Sequence, residues 1–565
     1  MTRKSVIYYY GAIPGNRGQR FRLMPLNFPE KPRDLLLAVA LASLVLVLGY
    51  WRMVPEVCGD FHDDAIYVIT AKALAQGEGY RLLYLPGAPL QTKYPFLYPA
   101  LLAVIWKFWP TFPDNLALMK WLSLLCGAAT VALSYLYFIR FNYLPRTMAF
   151  APGLICATSP FFLYFATQTL SELPFALLVV LAIWVFDARL GEPPAAGRRQ
   201  FFLGALLALP FLCRTLGLTL PLAGLLILYH RGRSLRWTAL GAMACMLPWI
   251  LWMIMGLGAW SRDPISGYYT DYLSWWLSTG WAFLFRIAAD NFLNILWSVA
   301  LVSMEGITVG LQSFNSSIVA VFFLFIGSIP VVALVTKIPG WHLLPFFLIS
   351  YLAIVLLWPW QPIRFMVPIM PFLLAYFIQA VNWLVRRCSG KVLSRHLLPL
   401  GLSLVLGANL VLLYQHGQMS RKYGYPYIRL VPQPASWASY KGIFQWLRTH
   451  SQRDDLVASA VAPMMFLYAE RRAIRPFKIG PAVLGYGEDL ESYGSAEDLA
   501  QVLRGYKVSF LVKVPVFAFN QERLDGLFVE LQQKYPGWLT RVYADKDERF
   551  AVFALAGDPS GGSSH

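Results

Sequence analysis

Residues Leu35-Leu-Leu-Ala-Val-Ala-Leu-Ala-Ser-Leu-Val-Leu-Val-Leu-Gly-Tyr-Trp51 carry no charge and no proline. A helix rising about 1.5 Å per residue needs about twenty such residues to cross a bilayer, and this run comes close. It is long for the apolar core of a signal peptide, and no clear Ala-x-Ala cleavage site follows. Basic residues Arg17, Arg20, Arg22, Lys31 and Arg33 precede it, so it reads as a first span with a cytoplasmic N-terminus.

The same pattern returns near 116–139, 147–166, 173–188, 237–256, 318–336, 341–358, 364–385 and 396–415. Residues 200–229 read as two short spans broken around Arg214 and Thr215. About eleven transmembrane helices result, the fold class of an α-helical polytopic membrane protein. Composition agrees. Hydrophobic residues are 57% and charged residues 14% of the 565, against about 45–50% and about 25% in soluble globular domains. Disordered, collagenous and nucleic-acid-binding classes are excluded, the last despite a net charge of +18, because the position of charge matters more than its sum. The six cysteines form no disulfide framework and no zinc spacing.

Loop charges orient the spans. Arg140 and Arg146, then Arg189, Arg198 and Arg199, then Arg231, Arg233 and Arg236, then Lys337, then Arg386, Arg387, Lys391 and Arg395 all fall on the proposed cytoplasmic side. The expected organisation is a cytoplasmic segment 1–34, a membrane domain 35–415 and a C-terminal domain 416–565. Two long loops face outward, at 52–115 and at 257–317. The second is rich in aromatic residues (Tyr268, Tyr269, Tyr272, Trp275, Trp276) and reads either as a cap over a site or as an interfacial aromatic belt. The C-terminal domain reads as separate, soluble and α/β. It has an amphipathic stretch Ser436 to Leu447, strand-like runs Leu456 to Ala460 and Val508 to Val514, and a closing hairpin-like pair.

Ionisable residues beside the hydrocarbon are costly, so they mark candidate chemistry. Phe61-His62-Asp63-Asp64-Ala65-Ile66-Tyr67 opens a helical run that Gly77 and Gly79 end. Its acid pair serves either as a helix cap or as catalytic carboxylates. Gln91-Thr92-Lys93-Tyr94-Pro95-Phe96 offers a lysine that either snorkels or holds an anionic headgroup. Ser171-Glu172-Leu173-Pro174 opens a span, Arg214 interrupts an apolar run, and Arg364 follows Trp358-Pro359-Trp360-Gln361-Pro362-Ile363. All map to one membrane face. An acid pair and several cations there suit an enzyme acting on a lipid-linked phosphate, or a transporter of an anion.

The Asp63-Asp64-x-x-Tyr67 element followed by Lys93-Tyr94-Pro95-Phe96 resembles the acidic and Lys-Pro-Pro-Leu signatures of the superfamily C glycosyltransferases. The closer likeness is to the family 39-like branch of bacterial protein O-mannosyltransferases and lipid A aminoarabinose transferases. Ser171-Glu172, Arg214 and Arg364-Phe365 fall where that branch keeps recurrent polar residues. The resemblance covers about 35–390 by layout and a few short motifs by residue. Asp64 stands where glutamate is frequent, and Tyr94 replaces the first proline.

The resemblance implies an inverting transfer of a sugar from a polyprenyl-phosphate donor to an acceptor hydroxyl of a lipid, glycan or protein. Asp63 would be the general base, with Asp64 and Glu172 positioning it or the acceptor. Lys93, Arg364 and Arg214 would bind the donor phosphate, and Tyr67, His62 and Tyr94 would line the substrate. No cofactor and no metal is required; a divalent ion held by His62, Asp63 and Asp64 is the variant of this scheme. The expected location is a bacterial inner membrane, with the C-terminal domain periplasmic. Two other readings stay open: a polymerase or ligase using lipid-linked glycan, and an anionic lipid or glycan transporter.

Overall fold

The structure, a computed structural model, describes residues 31–190, 196–278, 280–312, 317–336, 342–431, 433–477, 494–515 and 521–556, with backbone alone at 388–395. Arg17, Arg20, Arg22 and Lys337 of the charge pattern lie outside the described residues, as do the side chains of Lys391 and Arg395.

Among the described residues, eight helices are long and apolar enough to cross a membrane, and a ninth span forms if the bent pair Arg146–Thr158 and Pro160–Ala166 counts as one. The chain is a multi-pass membrane protein. The first span, Pro32–Arg52, carries proline at its start, Asp34 in its first turn and Arg52 in its last, as a helix dipole favours. The bent pair turns by 68° at Ser159. Pro160 cannot continue the hydrogen-bond ladder, and Ser159 caps the second piece through the Phe162 N–H at 3.1 Å. Buried Glu305 accepts the freed Phe161 N–H at 3.0 Å.

The pieces expected as spans near 200–229 and 341–358 fold into apolar helices shorter than these, among them Thr219–His230 and Leu343–Leu356. Two features depart from the sequence reading. The described residues of 257–317 are largely helical. They form the helices Ala259–Arg262, Pro264–Thr270, Tyr272–Leu277, Gly280–Ser303 and Glu305–Gln312. Gly280–Ser303 escapes a search for apolar runs because Arg286, Asp290, Asn291 and Asn294 dilute it to a mean hydropathy of 1.3, against 2.8 for Ser317–Val335. Its Asn291 side chain donates to the carbonyls of Val355, Leu356 and Trp358 at 3.1, 3.2 and 2.6 Å.

Finally, the connection between the last two spans is itself helical, so the backbone is helical throughout Met370–Tyr423 although its two halves are separate spans. Just ahead of it Arg364 meets Asp63, and just after it the Tyr425 hydroxyl donates to Asp60 at 2.8 Å. Both ends therefore reach one face of the bundle, and the apolar segments Ile363–Arg387 and His396–Tyr423 run in opposite directions.

That face carries the first loop and the C-terminal region. The loop holds helices Asp63–Ala75 and Leu97–Phe108. The second is amphipathic: Tyr98, Leu102 and Trp106 are buried while Leu101, Val104 and Phe108 are exposed. The C-terminal region forms a five-stranded sheet from β1 (Val457–Ser459), β2 (Ala473–Ile474), β3 (Phe510–Lys513), β4 (Leu539–Ala544) and β5 (Ala551–Leu555), in the order β2-β1-β3-β5-β4. β2 and β3 run parallel to β1, and the β4–β5 hairpin closes the far edge antiparallel. Helix Trp437–His450, capped by Ser436, accompanies the sheet.

This region is docked rather than separate. The Ala473 N–H in edge strand β2 donates to the Tyr84 carbonyl of the first loop at 2.9 Å. The Tyr468 hydroxyl accepts the Cys58 N–H at 2.9 Å and donates to the Glu56 carbonyl at 2.6 Å. One hydrophobic core runs continuously through both parts.

Candidate active site

The chain reverses at His62, whose φ of 65° is rare for a residue with a Cβ, and helix Asp63–Ala75 starts there. Consecutive helical side chains diverge by about 100°, so the acid pair splits. Asp63 accepts the Tyr94 hydroxyl at 2.7 Å and the Arg364 guanidinium at 2.6 Å. Asp64 turns away, fully buried, and accepts the Gly59 N–H at 2.7 Å. It thus fixes the approach to the helix, and its expected place beside the acceptor is not what the geometry gives. Neither acid simply caps the helix.

Arg364 also donates to Glu172. Fully buried Glu172 is met from another side by Arg214 at 2.7 Å. Arg214 donates to the Ser171 hydroxyl at 3.0 Å, and that hydroxyl lies 2.9 Å from the Tyr67 hydroxyl. The run of apolar residues breaks at Arg214, which is extended (φ −148°) between two 3₁₀ turns, freeing its side chain to reach Glu172. Both arginines expected on phosphate are thus engaged with carboxylates. A buried charge left unpaired costs several kcal/mol, which is why the apolar surroundings tolerate this set.

Burial alone would raise the Asp63 pKa, but Arg364, Lys93 and the Tyr94 hydroxyl together hold the carboxyl below its ordinary value. Asp63 is ionised and hydrogen-bonded. Burial pushes Asp64 the other way, upward.

Lys93 faces the same carboxylate from an aromatic box. Its backbone is shaped by buried Gln91, whose side-chain oxygen accepts the N–H groups of Lys93 (2.8 Å) and Tyr94 (3.3 Å). Its Nζ lies 3.7 Å from the Tyr268 ring centre, 4.6 Å from Tyr272 and 5.3 Å from Tyr94. Trp275 and Trp360 each stand at 5.8 Å. Nζ has no hydrogen-bond partner among the described residues. Burial, reinforced by Arg475 and Arg364, lowers its pKa to about 7 against the pull of Asp63. Ring faces hold a cation by about 0.5–2 kcal/mol each, yet they offer no counter-charge. Such an ammonium is poised for an arriving anion.

His62 lies beside this box, its Nε2 2.5 Å from the Tyr269 hydroxyl. Burial and then Arg475 lower its pKa to about 3, so it is neutral. His62, Asp63 and Asp64, the trio considered for a divalent ion, point to Tyr269, Arg364 and Gly59 respectively, and no group of three metal-capable ligands exists among the described residues.

Asp63, Glu172, Lys93, Tyr94, Arg214, Arg364, Tyr67 and His62 are therefore brought together, and Asp64 is not. Tyr268, Tyr272, Trp360 and Arg475 join them unannounced. The aromatic stretch of 257–290 held the signal for two of these, and its rings Tyr268, Tyr272 and Trp275 stand around the Lys93 ammonium.

No protein-family model matches the chain, and no curated protein does. Among solved structures it is similar to ArnT from Cupriavidus metallidurans bound to undecaprenyl phosphate, with a TM-score of 0.43 and 14% identity over 94% of this chain and 99% of that one. The apo crystal structure of the same protein gives 0.43 and 15% over the same shares. The arabinofuranosyltransferase AftD from Mycobacteria gives 0.42 and 13%, over 94% of this chain and 40% of that one.

Proposed function

We propose that the protein is an integral-membrane inverting glycosyltransferase. It moves a sugar from a polyprenyl-phosphate donor to an acceptor hydroxyl at the membrane face carrying Asp63. The observation that carries this reading is an ionised, immobilised carboxylate, Asp63, faced by a lysine whose buried Nζ makes no hydrogen bond among the described residues.

In this account the acceptor oxygen forms a bond to the sugar C1 as the bond from C1 to the phosphate oxygen breaks. The acceptor proton passes to Asp63, and the electron pair leaves with the polyprenyl phosphate. A carboxylate held below its usual pKa is a weak base for an alcohol, so the proton moves late, once C1 has become cationic. Lys93 stabilises the negative charge that grows on the departing phosphate. Arg364 and Tyr94 aim Asp63, and Glu172 with Arg214 fixes Arg364. In a bacterium this face would be the periplasmic side of the inner membrane, with the N-terminus in the cytoplasm.

The test is turnover of a panel of polyprenyl-phosphate sugars by purified protein in detergent. Transfer or hydrolysis of one donor is expected. Failure to bind or turn over any of them would defeat the reading.

A further inference from the structure

A second concavity lies where the two helices of the first loop meet the C-terminal region. It holds about 360 Å³, and Lys72, Trp106, Lys107, Phe112, Arg448 and Glu470 are among the residues that line it. Lys72 sits on the helix that Asp63 opens, nine residues further on. At about 1.5 Å per residue that is about 14 Å along the axis, so this cavity is a place apart from the carboxylate and the Lys93 box.

Its walls combine rings with cations. Buried Trp106 stacks on Phe112 with ring centres 6.0 Å apart, and Phe112 meets Tyr468 at 5.0 Å. The Lys72 ammonium lies 5.8 Å from the Trp106 ring centre and 5.2 Å from that of Phe466. Among the described residues it makes no hydrogen bond and no salt bridge. Burial lowers its pKa, while Glu470 and then Glu78 pull it up. Arg448 and Glu470 face each other at 3.6 Å with both side chains more than half exposed, a weak surface pair. Lys107 stands exposed in the last turn of helix Leu97–Phe108. The lining therefore carries three cations against one acid.

The setting of the cavity points to the kind of anion. Helix Leu97–Phe108 turns Leu101, Val104 and Phe108 outward, and exposed Trp109 follows it. In a membrane protein a helix of this pattern lies in the plane of the interface with its apolar face among the acyl chains. Lys107, between buried Trp106 and exposed Phe108, joins that lipid-facing side to the cavity. Basic side chains at this depth attract anionic headgroups, and their N–H donors form charge-assisted hydrogen bonds to phosphate oxygens.

We propose that this cavity binds the phosphate of an anionic bilayer lipid, held by Lys72 and Lys107, with the acyl chains along the Leu101, Val104 and Phe108 face. A lipid seated there bridges the first loop, which supplies both lysines, and the C-terminal region, which supplies Arg448. Such a site needs no transfer activity and stands or falls apart from the proposed function.

The experiment titrates the full-length protein in neutral detergent with dioctanoyl phosphatidylglycerol, with uncharged dioctanoylglycerol and with inorganic phosphate, reading affinity by calorimetry. Wild type, K72M, K107Q and K93M are compared, with thermal melting as a folding check. K72M keeps the side-chain stem on Trp106 and Phe466 and removes the charge. It is expected to weaken phosphatidylglycerol about tenfold or more, the scale of one charge-assisted hydrogen bond. K107Q should cost less, and dioctanoylglycerol should be unaffected by either. Where K72M does not fold, K72Q is held to the same outcomes. Wild type that does not bind phosphatidylglycerol overturns the inference, as does a folded Lys72 variant within twofold of wild type. An equal loss for both lipids would mark Lys72 as a packing residue and overturn it too. Inorganic phosphate bound as tightly as the lipid would contradict the assignment to a lipid, and a loss confined to K93M would place the phosphate in the chamber instead.

Discussion

Arg364 donates to Asp63 at 2.6 Å across 301 positions of sequence, so the acid that heads a loop helix is held by the first turn of a distant span. The same guanidinium also grips Glu172. Replacing Arg364 by methionine leaves buried Glu172 and half-buried Asp63 short of a partner, and a loss of about 3–5 kcal/mol is expected from a broken buried pair. A double-mutant cycle of Arg364→Met with Glu172→Gln, followed by thermal melting, should show coupling of about 1–3 kcal/mol. Strict additivity would mean that the pair does not act as a unit.

Lys93 gives a pH dependence. Burial lowers its pKa to about 7, so the free site is cationic below that value and neutral above it. Affinity for polyprenyl phosphate should be highest below pH 7 and fall as pH rises, by up to about tenfold per unit, until the pKa of the complex is reached. His62, lowered to about 3, contributes nothing in this range. A titration of binding between pH 6 and 9 checks this, and Lys93→Met should flatten the profile. A flat wild-type profile would contradict it.

Tyr94→Phe removes a hydroxyl that donates to Asp63 at 2.7 Å. A donor to the ionised form lowers a carboxyl pKa, so its loss raises it. The acid limb of the rate profile should therefore move to higher pH, with turnover at neutral pH reduced about three- to tenfold through poorer aim of the carboxylate. An unmoved acid limb would show that the limb belongs to another group.

Tyr468 ties the C-terminal region to the segment leading into Asp63. Its hydroxyl accepts the buried Cys58 N–H and donates to the Glu56 carbonyl. Tyr468→Phe leaves the Cys58 N–H without that partner, at a cost of about 1–3 kcal/mol. Hydrogen exchange should speed at residues 56–60 more than in the distant hairpin β4–β5. Uniform exchange would argue that the contact is not what holds the segment.

Much of the site was legible because charge is expensive next to lipid. Asp63, Lys93, Glu172, Arg214 and Arg364 each stood out singly against apolar neighbours, and the structure brings all five together. What sequence could not supply was direction. Asp63 and Asp64 look equivalent in a row of letters, yet one helical step sends the second to Gly59. The aromatic box escaped because tyrosine and tryptophan near a membrane edge read as interfacial anchors whether or not they surround a lysine. Arg475 is one basic residue among many in a region with a soluble pattern, behind a strand of two residues that no alternation could reveal. Gly280–Ser303 was hidden by its polar residues, of which Asn291 bonds the carbonyls of Val355, Leu356 and Trp358.

The most direct measurement is transfer from a polyprenyl-phosphate sugar by wild type and by Asp63→Asn, with donor affinity determined on the same preparations. The substitution keeps the size of the side chain and an oxygen for the Tyr94 hydroxyl while removing the base. Turnover is expected to fall about 10²–10⁴-fold, with donor affinity within a few-fold of wild type. Turnover by Asp63→Asn at the wild-type rate would contradict the assignment of Asp63 as the base.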